Sequence, residues 1–228
     1  MSSIRFVYLV VVLASTAQFG LCVLPAMTAK WAKATNWLWS DGGSGASWDF
    51  SAFRVVGAGT HTSVVGDQCH RSHDWYDDYQ PALEATYDSA ALANPTDYEF
   101  IWNDAGSGAY LDGSFWRPVC PSGYTYVGHY FKRGWQKPST NTNFKCVKEE
   151  YTEIVIIDDT NWDVVWAENH SGAYRNVFVD KILGGVGQYC WAFEGPNRSD
   201  KWDCGLPVGS CPKDNPRRLK AAAVQTVF

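Results

Sequence analysis

The 228-residue chain has little of what marks a helical protein. Its apolar residues rarely recur at three- and four-residue spacing, and only Pro81 to Ala93 fits a short helix. Basic runs are missing apart from Arg217-Arg218, and 19 Lys and Arg against 24 Asp and Glu leave a net charge of −5. That excludes a nucleic-acid partner, whose phosphate backbone demands a positive surface. Beyond the first 22 residues no apolar stretch is long enough to cross a bilayer. There is no Gly-x-Ser-x-Gly elbow, no His-Glu-x-x-His helix and no phosphate-cradling glycine loop.

What is present begins with a short basic start, Met1 to Arg5, then an apolar run from Phe6 to Ala14 and small residues. This pattern reads as a secretory signal peptide over residues 1–22. Cleavage after Cys22, rather than after Ala17, leaves six cysteines: Cys69, Cys120, Cys146, Cys190, Cys204 and Cys211. An even count in a secreted chain predicts three disulfides, with fifteen pairings open. Asn169-His-Ser and Asn197-Arg-Ser are acceptor sequons of a secreted glycoprotein.

Three stretches repeat. They are Trp39-Ser-Asp-Gly-Gly-Ser-Gly-Ala-Ser-Trp-Asp49, Trp102-Asn-Asp-Ala-Gly-Ser-Gly-Ala-Tyr-Leu-Asp112 and Trp166-Ala-Glu-Asn-His-Ser-Gly-Ala-Tyr-Arg-Asn176. The tryptophans are 63 and 64 residues apart, and Ser-Gly-Ala keeps its offset in each. A fixed period with a shared motif signals a threefold internal repeat.

Around the second copy, Tyr98, Phe100 and Trp102 alternate as in a half-buried strand. Asp104 to Gly108 reads as a loop, Tyr110 to Val119 and Tyr124 to Phe131 as strands, and Phe144 to Ile157 as another. About four strands per repeat predict an all-β, β-prism-like fold of three pseudo-threefold-related sheets. A β-trefoil is the alternative, though its repeats are usually shorter. Residues 23–216 form one domain and 217–228 a tail.

Ile101-Trp-Asn-Asp-Ala-Gly-Ser-Gly-Ala-Tyr-Leu-Asp-Gly-Ser-Phe-Trp-Arg-Pro118, followed by Cys120-Pro-Ser-Gly-Tyr-Thr-Tyr-Val-Gly128, resembles the family named for vacuolar protein sorting-associated protein 62. The resemblance is best over residues 98–150 and implies a β-rich fold more than an activity. Gly45-Ala-Ser-Trp-Asp49 and Gly108-Ala-Tyr-Leu-Asp112 are also similar to the sugar-binding Gly-x-x-x-Asp loop of jacalin-type β-prism lectins. Gly172-Ala-Tyr-Arg-Asn176 departs from it by carrying Asn for Asp.

A sugar offers vicinal hydroxyls and an apolar ring face. Its site needs a carboxylate to accept hydroxyls, glycine for close backbone approach and an aromatic rim. The loops supply Gly45, Trp48 and Asp49; Gly108, Tyr110 and Asp112; and Gly172, Tyr174 and Asn176. The bland reading is that Ser-Gly-Ala is a turn each hairpin requires, with the Asp capping it. Trp39, Trp102 and Trp166 are core residues on either reading.

No cofactor is expected. Calcium is the one ion the acid pairs would suit, and two carboxylates per loop make a thin ligand set. Cys69-His70-Arg-Ser-His73-Asp74 has metal-like spacing, but a disulfide would consume Cys69. Acid pairs also serve glycoside hydrolysis, yet a catalytic site is seldom built three times in one domain. The expectation is therefore a secreted, non-catalytic, lectin-like protein whose partners are glycans. Two loops would be active and the third altered, with a glycan at Asn169 crowding it. A membrane-binding or pore-forming accessory module and an extracellular matrix protein are the alternatives.

Overall fold

A computed structural model describes residues 27–33, 36–55, 62–74, 79–86, 88–156, 162–168, 171–184, 187–194 and 218–222. The signal-peptide stretch, the sequon asparagines Asn169 and Asn197, Cys204 and Cys211 lie outside these residues. Among the described residues seventeen strands run in chain order. The first repeat contributes β1 (Met27–Lys33), β2 (Asn36–Ser40), β3 (Ser51–Arg54), β4 (Thr62–Ser63), β5 (Gln68–His70) and β6 (Tyr79–Ala85). The second contributes β7 (Leu92–Ala93), β8 (Asp97–Asn103), β9 (Gly113–Val119), β10 (Tyr124–Thr125), β11 (Tyr130–Arg133) and β12 (Cys146–Lys148). The third contributes β13 (Thr152–Ile156), β14 (Trp162–Ala167), β15 (Val177–Gly184), β16 (Gly187–Glu194) and β17 (Arg218–Ala222).

The pairing repeats as well. Sheets β2-β3-β5, β8-β9-β11 and β14-β15-β16 have one topology, and all their pairs are antiparallel. A second set, β1-β6-β4, β7-β12-β10 and β13-β17, joins each repeat's first strand to its last. The fold is thus all-β and prism-like. Each main sheet holds three strands, and the strands expected to complete it pair in the second set instead.

Even the irregularities recur. The register shifts at Trp37/Trp39, Phe100/Trp102 and Val164/Trp166. The extra residue of each bulge, Leu38, Ile101 or Val165, is buried beside the following Trp. A bulge breaks the alternation, so two successive side chains can face inward. Trp39, Trp102 and Trp166 then meet in a triangle, with ring centroids 5.6–5.9 Å apart and planes crossed at 68–78°. Edge-to-face pairs of this kind are worth about 0.5–1.5 kcal/mol each beyond burial.

Around that triangle, equivalent positions trade volume. One set is Phe50, Gly113 and Val177, the next Ala52, Phe115 and Val179, and the third Cys69, Phe131 and Ala192. A β-carbon on Gly113 would lie 2.5 Å from the Trp39 ring. Farther along the axis Gly66 and Gly128 make room for the single ring of Tyr189.

The axis itself is marked by a ring of backbone hydrogen bonds. The Asp67 N–H donates to the His129 carbonyl, His129 to Cys190 and Cys190 back to Asp67, at 3.4, 3.1 and 3.0 Å. Their side chains clasp the next repeat in turn. An Asp67 carboxylate oxygen accepts from Phe131 N–H (2.6 Å), His129 Nδ1 accepts from Ala192 N–H (3.0 Å), and Cys190 closes the ring through its disulfide with Cys69. Arg54 meets Asp67 with Nε and one terminal nitrogen, at 2.7 and 2.6 Å, so the buried carboxylate is compensated.

The second disulfide, Cys120–Cys146, lies within repeat two. The helix expected over Pro81 to Ala93 is not formed. Residues 79–85 are β6, which zips along β1, and Leu92–Ala93 pair with β12. Sheet pairing overrode a weak local preference there. The Tyr124–Phe131 and Phe144–Ile157 stretches likewise split, the first at the turn that delivers His129 to the axis and the second at a 3-10 turn, Glu149–Tyr151. Among the described residues no helix is long and apolar enough to cross a membrane.

Candidate functional site

The three Trp-led loops gather at one pole and are tied to each other. Trp39 Nε1 donates to the Leu111 carbonyl (2.7 Å) and to Asp104 (3.2 Å), Trp102 Nε1 to the Arg175 carbonyl (2.6 Å), and Trp166 Nε1 to Asp41 (2.9 Å). Each repeat thereby grips the next, and the third grips the first. Bonds also run the other way, from the Tyr110 N–H to the Gly42 carbonyl (2.8 Å) and from the Tyr174 N–H to the Ala105 carbonyl (3.0 Å).

Within each loop the shared residues have turn work. Ser44, Ser107 and Ser171 accept the N–H of Ala46, Ala109 and Ala173 at 3.1–3.2 Å. Gly45, Gly108 and Gly172 have φ of +74°, +78° and +85°, the left-handed region that glycine reaches without strain. The acids two residues after each Trp are buried. Asp41 accepts the Phe50 N–H (2.8 Å) and Asp104 the Gly113 N–H (3.0 Å), while Glu168 is bonded by the Ser171 hydroxyl. These acids brace the turns, whereas Asp49, Asp112 and Asn176 are exposed.

Burial pushes the carboxyls of Asp41 and Asp104 above the usual range. His73, the Phe50 N–H and Trp166 oppose that at Asp41. At Asp104 the Gly113 N–H, Trp135 and Trp39 oppose it, and the Asp112 charge adds to it. With N–H donors on their oxygens, Asp41 and Asp104 are poorly placed to hold calcium. No cluster of three or more His, Cys, Asp or Glu with metal-holding geometry occurs among the described residues. Cys69 is bonded to Cys190, which takes it out of the metal-like run.

The structure regroups the expected site residues. Trp48 does not share a face with Tyr110's equivalents: it stands one place later, where Leu111 and Arg175 stand in the other loops. Its ring lies against Arg71 (4.4 Å), whose guanidinium is bonded to the Val164 and Val165 carbonyls. Tyr110 leaves its own loop and lies against loop one, where a β-carbon on Gly43 would be 2.7 Å from its ring. Tyr174 lies against loop two in the same way, 2.8 Å from a β-carbon on Gly106. Both tyrosines remain 85% and 84% exposed.

Two neighbours join the loops: His73, which the sequence offered only as part of a metal-like run, and Trp135, which it did not single out. His73 Nε2 is 2.6 Å from Asp41 and 3.7 Å from Asp49. Trp135, its equivalent in repeat two, donates to Asp104 at 2.6 Å. The equivalence is fixed by Ser51 and Ser114, whose hydroxyls reach the carbonyls of Ser72 and Gly134 immediately before them. The only sequence signal was a ring at offsets of 34 and 33 residues from Trp39 and Trp102.

A family model described as vacuolar protein sorting-associated protein 62 matches residues 33–181. That is well over half of the chain, and the chain belongs to this family. No curated protein matches it. Among solved structures, GNIP1Aa from Chromobacterium piscinae is similar, with 24% identity and a TM-score of 0.61. The match covers 76% of this chain and 33% of that one, so this chain spans about a third of that protein's length. The likeness is one of fold.

Proposed function

We propose that this member of the vacuolar protein sorting-associated protein 62 family is a secreted, non-catalytic carbohydrate-binding protein whose loop pole is the binding face. The observation that carries this reading is the pair Tyr110 and Tyr174. Each ring is braced on a neighbouring loop yet nearly fully exposed, with the outward carboxylates of Asp49 and Asp112 at the same pole. A braced aromatic loses little freedom when a sugar's apolar face stacks on it. A carboxylate beside it accepts vicinal hydroxyls strongly. The acids that would otherwise be needed to brace the turns are different residues, which leaves Asp49 and Asp112 to face a ligand. Two disulfides agree with an oxidising compartment.

The test is an array of neutral oligosaccharides probed with the whole chain. Binding should fall at least about tenfold in Asp112→Ala, the weight of a charged hydrogen bond, with thermal stability retained. A second reading, docking on a membrane surface, is favoured by Trp48 and Trp135, half-exposed at the same pole. Co-sedimentation with liposomes, indifferent to competing sugar, would replace the first reading with the second. Silence in both assays would leave a structural role in an extracellular matrix.

A further inference from the structure

We infer that the sugar sites are not carried by single loops but are shared across the seams between repeats. One lies at the seam of repeats one and two and is built from Tyr110, His73 and Asp49. The other lies at the seam of repeats two and three and is built from Tyr174, Trp135 and Asp112. The inference rests on the carbohydrate reading and says which residues act together.

The first seam is read directly. A β-carbon on Gly42 would lie 3.7 Å from the Tyr110 ring and 4.0 Å from His73 Cε1, so the two rings flank a bare glycine floor. His73 in turn stands 3.7 Å from the Asp49 carboxylate. Aromatic, imidazole and carboxylate thus line one shelf, although Tyr110 belongs to repeat two and the others to repeat one. Trp48, the aromatic next to Asp49 in sequence, is engaged with Arg71 on the side of repeat three.

The second seam carries the equivalent residues, with the Trp135 indole in place of the imidazole. Tyr174 is hung from the Ala105 carbonyl and lies against Gly106. Trp135 is bonded to Asp104, and the Gly134 N–H before it donates to the Asp112 carbonyl at 2.7 Å. Asp112 is exposed ten residues after Trp102, as Asp49 is after Trp39. In the sequence the third seam carries Ser47 for the tyrosine and Asn176 for the aspartate. Stacking and charged acceptance are both lost there, so two sites are expected rather than three. A tyrosine shelf with one carboxylate suits a neutral pyranoside, with its apolar face on the ring and a vicinal diol on the acid. The rim acids disfavour sulfated or sialylated sugars.

The experiment is calorimetric titration of the whole chain with a soluble neutral oligosaccharide taken from the strongest array signal. Wild type should bind two equivalents. Tyr110→Ala combined with Asp49→Asn should keep one, because both changes strike one seam. Tyr110→Ala combined with Asp112→Asn should keep none, because each removes a different site. The reverse pattern, one site left by the second pair and none by the first, restores single-loop sites and overturns the inference. A wild-type stoichiometry of one overturns it too. Absence of any binding to neutral sugars overturns the carbohydrate reading itself, before the question of pairing arises. All three residues are exposed, and the Tyr110 bond to Gly42 is made by its backbone, so the variants keep the fold.

Discussion

Asp67, His129 and Cys190 hold equivalent places around the axis and have no chemistry in common, yet each clasps the following repeat. The loops at the pole are the opposite case. They share Ser-Gly-Ala and nearly the same backbone, yet their outward positions read Ser47, Tyr110 and Tyr174, then Asp49, Asp112 and Asn176. At the axis geometry is kept while side chains diverge, because any pair that bridges the gap closes the ring. At the pole the scaffold is kept and the rim diverges, as expected where a fold carries a site rather than being one. The comparison predicts where substitutions cost stability and where they cost binding.

The axis can be broken most severely at its covalent clasp. Replacing Cys69 and Cys190 together with Ala opens a loop of 121 residues between the first and last repeats. A loop of that size confines the unfolded chain enough to be worth about 5 kcal/mol. Urea denaturation should show that loss, whereas a loss under about 1 kcal/mol would mean that the Asp67 and His129 clasps suffice. Gly113→Ala is the next test. Its new methyl would press on the Trp39 ring at 2.5 Å, and overpacking a filled core costs about 2 kcal/mol. An unchanged midpoint would show that the Trp triangle is looser than its contacts imply. The disulfide change lies away from the loops, so the proposed sugar binding by its folded fraction should be unaffected, whereas Gly113 also braces Asp104 and its replacement reaches the pole.

The same contrast explains what the sequence disclosed. Trp39, Trp102 and Trp166 announced the repeat because large buried rings at a shared bulge tolerate little variation. The fold class and the exposure of Asp49 and Asp112 followed from that alignment. The axis did not announce itself, since a carboxylate, an imidazole and a disulfide share no pattern along the chain. The grouping of the site residues was hidden for another reason. Tyr110 and Asp112 are neighbours in sequence, but the tyrosine ring is carried onto the preceding loop by a backbone bond that no local signal encodes. The false helix over Pro81 to Ala93 has a similar origin, because β6 is stabilised by β1, some fifty residues earlier.

The smallest expected effect concerns the two buried loop acids, which differ in one partner. Asp41 faces the His73 imidazole, and Asp104 faces the neutral indole of Trp135. Asp104 therefore isolates the consequence of burying a carboxyl at the pole. Burial raises its pKa above the ordinary 3.8, so the folded chain holds this proton more tightly than the unfolded chain does. Its contribution to stability is then fully present below the ordinary carboxylate value and is lost as pH rises through the raised one. As pH rises above about 4 the wild-type melting temperature should carry this loss, and Asp104→Asn should flatten that part of the curve. Parallel curves would mean that the N–H groups of Gly113, Trp135 and Trp39 fully offset the desolvation, making the loop acid a brace that costs the folded state nothing at neutral pH.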